Sequence, residues 1–237
     1  MLQSLEKLYG CKLGASDGEI GHVKDFYFDD RSWAVRYLVA NTGTWLPGRQ
    51  VLISPHSIGR LHVAGNVISV NLSRKQIEDS PPIETHKPVS RQYEEAYYRF
   101  YGWPYYWQGD GLWGSSGIPI LELPAKPFTG APIDVNDVQP ESSDPHLRSA
   151  KAVNGYHLET SDGIIGHVCD FMVNIQSWAI EELVIKTGRR LTGKEVQITT
   201  TLVDRISYED STVFVKMTGD AVEQSPTHQL VSVGEED

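Results

Sequence analysis

Between Trp33 and Ala40 the side chains alternate in twos. Trp33, Val35, Tyr37 and Val39 fall on one side of an extended chain, and Ala34, Arg36, Leu38 and Ala40 on the other. A period of two predicts a strand with one buried face. A β-prone run from Ile20 to Phe28 precedes it, opened by the turn pair Asp17-Gly18 and closed by Asp29-Asp30-Arg31-Ser32. Downstream, Thr42-Gly43 and Leu46-Pro47-Gly48-Arg49 predict a turn before Gln50–Ser54. Gly59–Val63 and Val67–Leu72 then pair around Ala64-Gly65-Asn66. Ser73-Arg74-Lys75-Gln76 is a capping-box pattern that opens a short helix ending at Pro81. Five or six short strands in about 70 residues, with glycines at the corners, predict a small closed or nearly closed barrel.

The pattern occurs twice. Residues 10–81 recur without a gap at 155–226, each position displaced by 145, and about 27 of the 72 pairs are identical. Asp17, Gly18, Gly21, His22 and Asp25 pair with Asp162, Gly163, Gly166, His167 and Asp170, and Trp33 pairs with Trp178. Each copy is large enough to hold a small core, so the expected architecture is all-β: two small barrels and a connecting segment. The expected boundaries are 1–85 and 150–230 for the barrels, 86–149 for the connection and 231–237 for an acidic tail. Trp33 and Trp178, each heading the same strand, are expected to be equivalent core anchors.

Charge refines this picture. The net charge is −10 over 237 residues. Residues 1–85 carry 9 basic and 9 acidic groups, 86–149 carry 5 and 8, and 150–237 carry 7 and 14, so the copies present different surfaces. Such acidity gives no counterion-release drive toward phosphate backbones, which argues against nucleic acid as a general partner. No run approaches the ~18 apolar residues of a membrane span, and the first residues lack a secretory pattern. With only Cys11 and Cys169, at non-equivalent positions, no disulfide framework is expected, and the cytoplasm is the expected location.

The run Asp-Gly-x-Ile-Gly-His-Val-x-Asp-Phe, followed by Ser-Trp-Ala and Leu-Val, resembles the PRC-barrel domain. That domain forms the cytoplasmic part of the photosynthetic reaction-centre H subunit and the C-terminal domain of a ribosome maturation factor. The resemblance covers both copies, roughly 60% of the chain. The two-copy layout with an aromatic middle is also similar to stand-alone bacterial PRC-barrel proteins of unassigned function. It implies PRC-type barrels that bind other proteins, with no catalytic residues to transfer. Neither the H-subunit membrane helix nor the extra barrel of the ribosome factor has a counterpart in the sequence.

The middle segment is rich in rings, followed by proline. Ser90 is placed to cap a helix over Arg91–Tyr101, with Tyr93, Tyr97, Phe100 and Tyr101 at helical spacing before Gly102-Trp103-Pro104. Tyr105, Tyr106, Trp107 and Trp113 follow, so ten of the chain's 23 aromatic residues lie between Tyr93 and Trp113. Prolines 119, 124, 127, 132, 140 and 145 then predict an extended linker. Three readings stand open for Tyr93, Tyr97, Tyr101, Trp103, Tyr105, Tyr106, Trp107 and Trp113. They pack on the outside of the barrels, form a homodimer or partner interface, or make an aromatic cage for carbohydrate or single-stranded nucleic acid.

No catalytic constellation accompanies them. His22 and Asp25, like His167 and Asp170, stand three apart and fall on opposite strand faces, so they do not converge on a metal without a bulge. Gly18-x-x-Gly21 and Gly163-x-x-Gly166 lack the lysine and the helix of a phosphate loop. No nucleophile elbow orders a triad. Arg49, Lys194, Arg60 and Arg205 recur as expected solvated rims. The expectation is a non-catalytic, cofactor-free interaction or scaffold module in a membrane-associated, photosynthetic or stress-related complex. The alternative is an accessory factor in ribosome or RNA processing, ahead of a small-ligand binder or an enzyme.

Overall fold

The computed structural model describes residues 1–47, 49–62, 65–82, 89–119, 146–188 and 193–228. The expectations for Gly48, Val63, Ala64, prolines 124, 127, 132, 140 and 145, and the acidic tail fall outside the described residues.

The chain is all-β, built on two seven-stranded sheets. The first copy supplies β2 (Lys12–Ala15), β3 (Gly18–Asp29), β4 (Ala34–Asn41), β5 (Gln50–Ile53), β6 (Ile58–His62) and β7 (Val67–Val70), in spatial order β5-β4-β3-β2-β7-β6. The second supplies β9 (His157–Thr160), β10 (Gly163–Asn174), β11 (Ile180–Thr187), β12 (Glu195–Thr199), β13 (Val203–Ser207) and β14 (Thr212–Val215), in the matching order. Pairing is antiparallel except for β2 with β7 and β9 with β14. Each copy closes on a five-residue helix, α1 (Arg74–Glu78) or its counterpart Gly219–Glu223. In α1 the reciprocal Ser73–Gln76 capping box forms as its sequence predicts.

Two strands per copy escaped the sequence pattern: β2 or β9, and an opening strand that precedes the visible repeat. β1 (Leu2–Ser4) pairs with β10, and β8 (Leu147–Ser149) pairs with β3. They too are related by 145 residues, so the structural repeat starts earlier than the visible one. Two compact units result, and they do not follow the expected boundaries. One contains Met1–Lys7, Ser149–Ile175 and Ala179–Asp237; the other contains Leu8–Arg148 with Gln176–Trp178. The aromatic segment is thus part of the first sheet's unit rather than a separate linker.

The repeat motif now has physical roles. Gly21 (φ +122) and Gly166 lie where a Cβ would fall 2.0 Å from Asn41 O and 2.2 Å from Lys186 O, so any side chain would collide with the neighbouring strand's backbone. Gly18 and Gly163 turn the hairpin at positive φ. Asp17 Oδ1 accepts from Arg74 N at 2.7 Å, and Asp162 Oδ1 from Gly219 N at 2.8 Å, so each reaches across its copy to the start of the closing helix. The Thr160 hydroxyl, and then the Gly219 N–H, hold the Asp162 carboxyl below its ordinary range. Arg49 and Lys194, expected as solvated rims, make exposed hydrogen bonds, donating to Glu78 O (2.6 Å) and Glu223 O (3.1 Å) at the far end of those helices.

Two further expectations are corrected. β4 is buried on both faces, not one, because an aromatic helix covers its outer side. Trp33 and Trp178 do not head their strands: both sit in the preceding turn at φ 57° and 58°. Nor are they equivalent, since Trp33 is half-buried against Phe28 whereas Trp178 is 2% exposed in the first sheet's unit.

Candidate functional site

The helix α2 (Arg91–Tyr101) starts at Ser90, whose side chain accepts from Tyr93 N, and stops at Gly102 in the left-handed conformation. Its predicted ring face is correct for Tyr93, Tyr97 and Tyr101, which are buried, while Phe100 is only half-buried. The stripe is wider than predicted, because Glu94 and Tyr98 are buried as well. The Tyr97 hydroxyl donates to Leu52 O (2.9 Å) and accepts from Ser54 N (3.3 Å), fixing α2 onto the end of β5.

Glu94 is the centre of the site. It is 0% exposed, yet it carries four partners. Its Oε1 accepts from the hydroxyls of Tyr106 (2.8 Å) and Tyr37 (3.1 Å). Its Oε2 lies 2.9 Å from His146 Nε2 and forms an ion pair with an Arg91 guanidinium nitrogen at 3.1 Å. The Tyr106 hydroxyl also meets His146 Nε2 and Arg91, each at 3.0 Å. Because the single Tyr106 proton faces Glu94, His146 Nε2 must be the protonated nitrogen, an assignment made from the partners. Glu94 Oε1 is hydrogen-bonded, whereas its Oε2 has no hydrogen bond among the described residues and rests against Arg91 and His146, so the buried carboxylate is paired rather than isolated.

A bulge in β4 presents the other half. Tyr27 and Phe28 pair with Tyr37 and Val35, which leaves Arg36 as the extra residue. Its guanidinium lies 3.7 Å from the centroid of the Tyr106 ring and 4.8 Å from that of Trp113, and donates to Leu112 O at 2.6 Å. His56, in a 3-10 turn after β5, is buried against Trp103 (5.4 Å, stacked) and Trp113 (5.1 Å, edge-on). Trp113 Nε1 donates to Ser177 O at 2.6 Å, and Val35 N to Trp178 O at 2.8 Å. The rings form an aromatic shell whose cationic and imidazole guests are the chain's own Arg36 and His56.

The phenols of this shell are held neutral. Burial raises Tyr37 and Tyr97 far above the ordinary tyrosine value, and the Glu94 charge adds to the effect at Tyr37. Tyr106 is raised by burial first and by Glu94 second. Such groups act as fixed hydrogen-bond donors at any physiological pH, not as acids or nucleophiles.

Of the eight rings named in the sequence, Tyr93, Tyr97, Tyr101, Trp103, Tyr106 and Trp113 are buried, and only Tyr105 and Trp107 are half-exposed. A partner surface made of all eight is therefore corrected: the first sheet has already covered six. The repeat histidines do not join the cluster, as His22 is exposed and His167 half-exposed. Among the described residues no three metal-ligating side chains converge. Asp25 and Asp170 accept from the next residue's N–H, Phe26 at 2.8 Å and Phe171 at 2.7 Å, beside a second bulge at Lys24 and Cys169. Burial raises the Cys169 thiol to about 12, so it stays protonated.

Sequence reading missed Glu94, His146, Arg36 and His56. A signal existed for Glu94, the one carboxylate in the i, i+3, i+4, i+7 stripe with Tyr97, Tyr98 and Tyr101. The others depend on tertiary contacts that leave no periodicity.

The second copy repeats the backbone but not the chemistry. The same bulge holds Glu181 where the first holds Arg36. Glu182, Gln197, Thr200 and Thr201 replace Tyr37, Leu52, Pro55 and His56, and all five side chains are partly or fully exposed. No known family model matches the sequence, and no curated protein does.

Proposed function

We propose that the protein is a non-catalytic interaction module of the cytoplasm, in which two PRC-barrel-type domains act as a scaffold in a larger complex. The observation that carries this reading is the divergence of one face between two otherwise matched copies. In the first, Arg36, Tyr37 and His56 are committed to an internal aromatic cover. In the second, Glu181, Glu182, Gln197, Thr200 and Thr201 occupy the equivalent face and meet solvent. The neutral phenols, the protonated thiol and the self-filled shell all suit a binding surface better than a reacting centre.

Among the described residues no helix is long and apolar enough to cross a membrane, so attachment to any membrane complex is proposed to run through protein contacts. The test is cross-linking mass spectrometry on the full chain in extract of its native cell, with Glu181→Lys/Thr201→Lys as the comparison. A stoichiometric partner cross-linked near β11 and β12, and lost in the variant, supports the proposal. Recovery of ribosomal components or RNA moves the reading to the accessory-factor alternative. Purified chain that turns over a substrate in broad activity screens overturns it.

A further inference from the structure

The opening strands of the two copies are traded. β1 precedes the first copy in sequence, yet it completes the sheet of the second through β10, in register Leu2↔Asn174, Gln3↔Val173 and Ser4↔Met172. β8, its counterpart 145 residues on, completes the sheet of the first through β3. Met1–Lys7 thus lies in one compact unit while the chain continues at Leu8 into the other.

The slot on β10 is built for its occupant. Leu5 N donates to Phe171 O at 2.9 Å, and Ile175 N to Met1 O at 3.2 Å. Leu5 is buried, the Ser4 hydroxyl donates to Asp170 Oδ2, and Glu6 N donates to Asp170 Oδ1 at 3.0 Å. Burial raises the Asp170 carboxyl, and these hydrogen bonds oppose the shift. The equivalent Asp25 in the first copy also accepts from its own neighbour's N–H, Phe26. The slot therefore reads backbone edges, an apolar side chain at the fifth position and a hydroxyl at the fourth.

We propose that this slot is a strand-addition site whose second occupant is the opening strand of another copy of the same chain, giving a strand-exchanged dimer. The reason lies in connectivity. Every hydrogen bond that β1 makes within its unit is remade when the strand arrives from another molecule, because slot and strand are unchanged. The choice between closed monomer and exchanged dimer then rests on the effective concentration of the tethered strand against that of a second chain. The recognition sequence Leu2-Gln3-Ser4-Leu5-Glu6 is carried by each copy of the chain.

Disulfide trapping tests this directly. The bonds at Leu5–Phe171 and Met1–Ile175 make Leu2↔Asn174 a non-hydrogen-bonded pair, where strand Cα atoms approach most nearly. In a background with Cys11 and Cys169 changed to Ser, one chain carries Leu2→Cys and a second, differently tagged, carries Asn174→Cys. After the mixture is unfolded and refolded together at high concentration, oxidation is expected to give a cross-linked species of twice the chain mass carrying both tags. A single chain with both cysteines serves as the positive control and is expected to cross-link internally at high dilution. If the control cross-links but the mixture never does, the exchange is overturned; if the control also fails, the pairing itself is wrong. Should the cysteine-free background not fold, the unsubstituted chain decides by light scattering after the same refolding. A dimer that reverts to monomer only through unfolding supports the exchange, and monomer throughout overturns it.

Discussion

Glu94 shows how much a single side chain can carry when it is wholly enclosed. Its removal strands Arg91 and His146 beside two phenols that lose their acceptor. Glu94→Ala is therefore expected to cost about 3 kcal/mol, the low end for breaking a buried pair, because Arg91 is 37% exposed and can return to water. Chemical denaturation of variant and parent measures this, and a change below about 1 kcal/mol, the scale of a surface pair, would refute the central role. The phenols give a pH prediction with a definite sign. Tyr37, Tyr93, Tyr97, Tyr98, Tyr101 and Tyr106 all have folded-state values raised above 10, chiefly by burial. Their contribution to stability is complete below pH 10 and falls as pH rises beyond it, since only the unfolded chain ionises readily there. Ultraviolet titration of phenolate is expected to show these six ionising together, at the alkaline unfolding transition. A gradual titration near pH 10 with intact circular dichroism would contradict it.

At the scale of elements, the two tryptophan turns separate what is shared from what is not. Both tryptophans occupy the left-handed region, a strained place for a bulky residue, so the turn geometry belongs to the repeat. Burial does not. Trp178→Ala is expected to cost about 3–5 kcal/mol and Trp33→Ala less than half of that, because only the first loses a fully enclosed ring. Equal shifts in denaturation midpoint would restore the equivalence that their sequence context suggests. The central strands, the capped α1 and α2, and the aromatic face of α2 were legible beforehand, since local periodicity and capping chemistry encode them. The double burial of β4 was not, because the element that covers it, α2, follows about 50 residues later in sequence, and alternation along a strand says nothing about an outer cover.

For the whole molecule, the interleaving of segments has a consequence that can be measured without any substitution in a sheet. A protease site introduced between residues 120 and 145 would divide the chain into two fragments. Each compact unit contains parts of both: Met1–Lys7 with Ser149–Ile175 in one, Leu8–Ile118 with Gln176–Trp178 in the other. The cut protein is expected to elute as one species in native gel filtration and to separate only in denaturant. Fragments that part under native conditions would show that the exchanged segments do not hold.

The sequence by itself determined the repeat, its all-β character, the turn and glycine positions, and the short helices that close each copy. All of these follow from local rules: alternation, turn chemistry and capping. Only the tertiary structure decided which sheet each opening strand completes. Leu2–Ser4 and Leu147–Ser149 are too short for periodicity, and pairing across more than 110 residues leaves no local trace. It alone also decided that Arg36 and His56 fill the aromatic shell. A cation's preference for ring faces is realised only where a bulge and a distant helix bring them together.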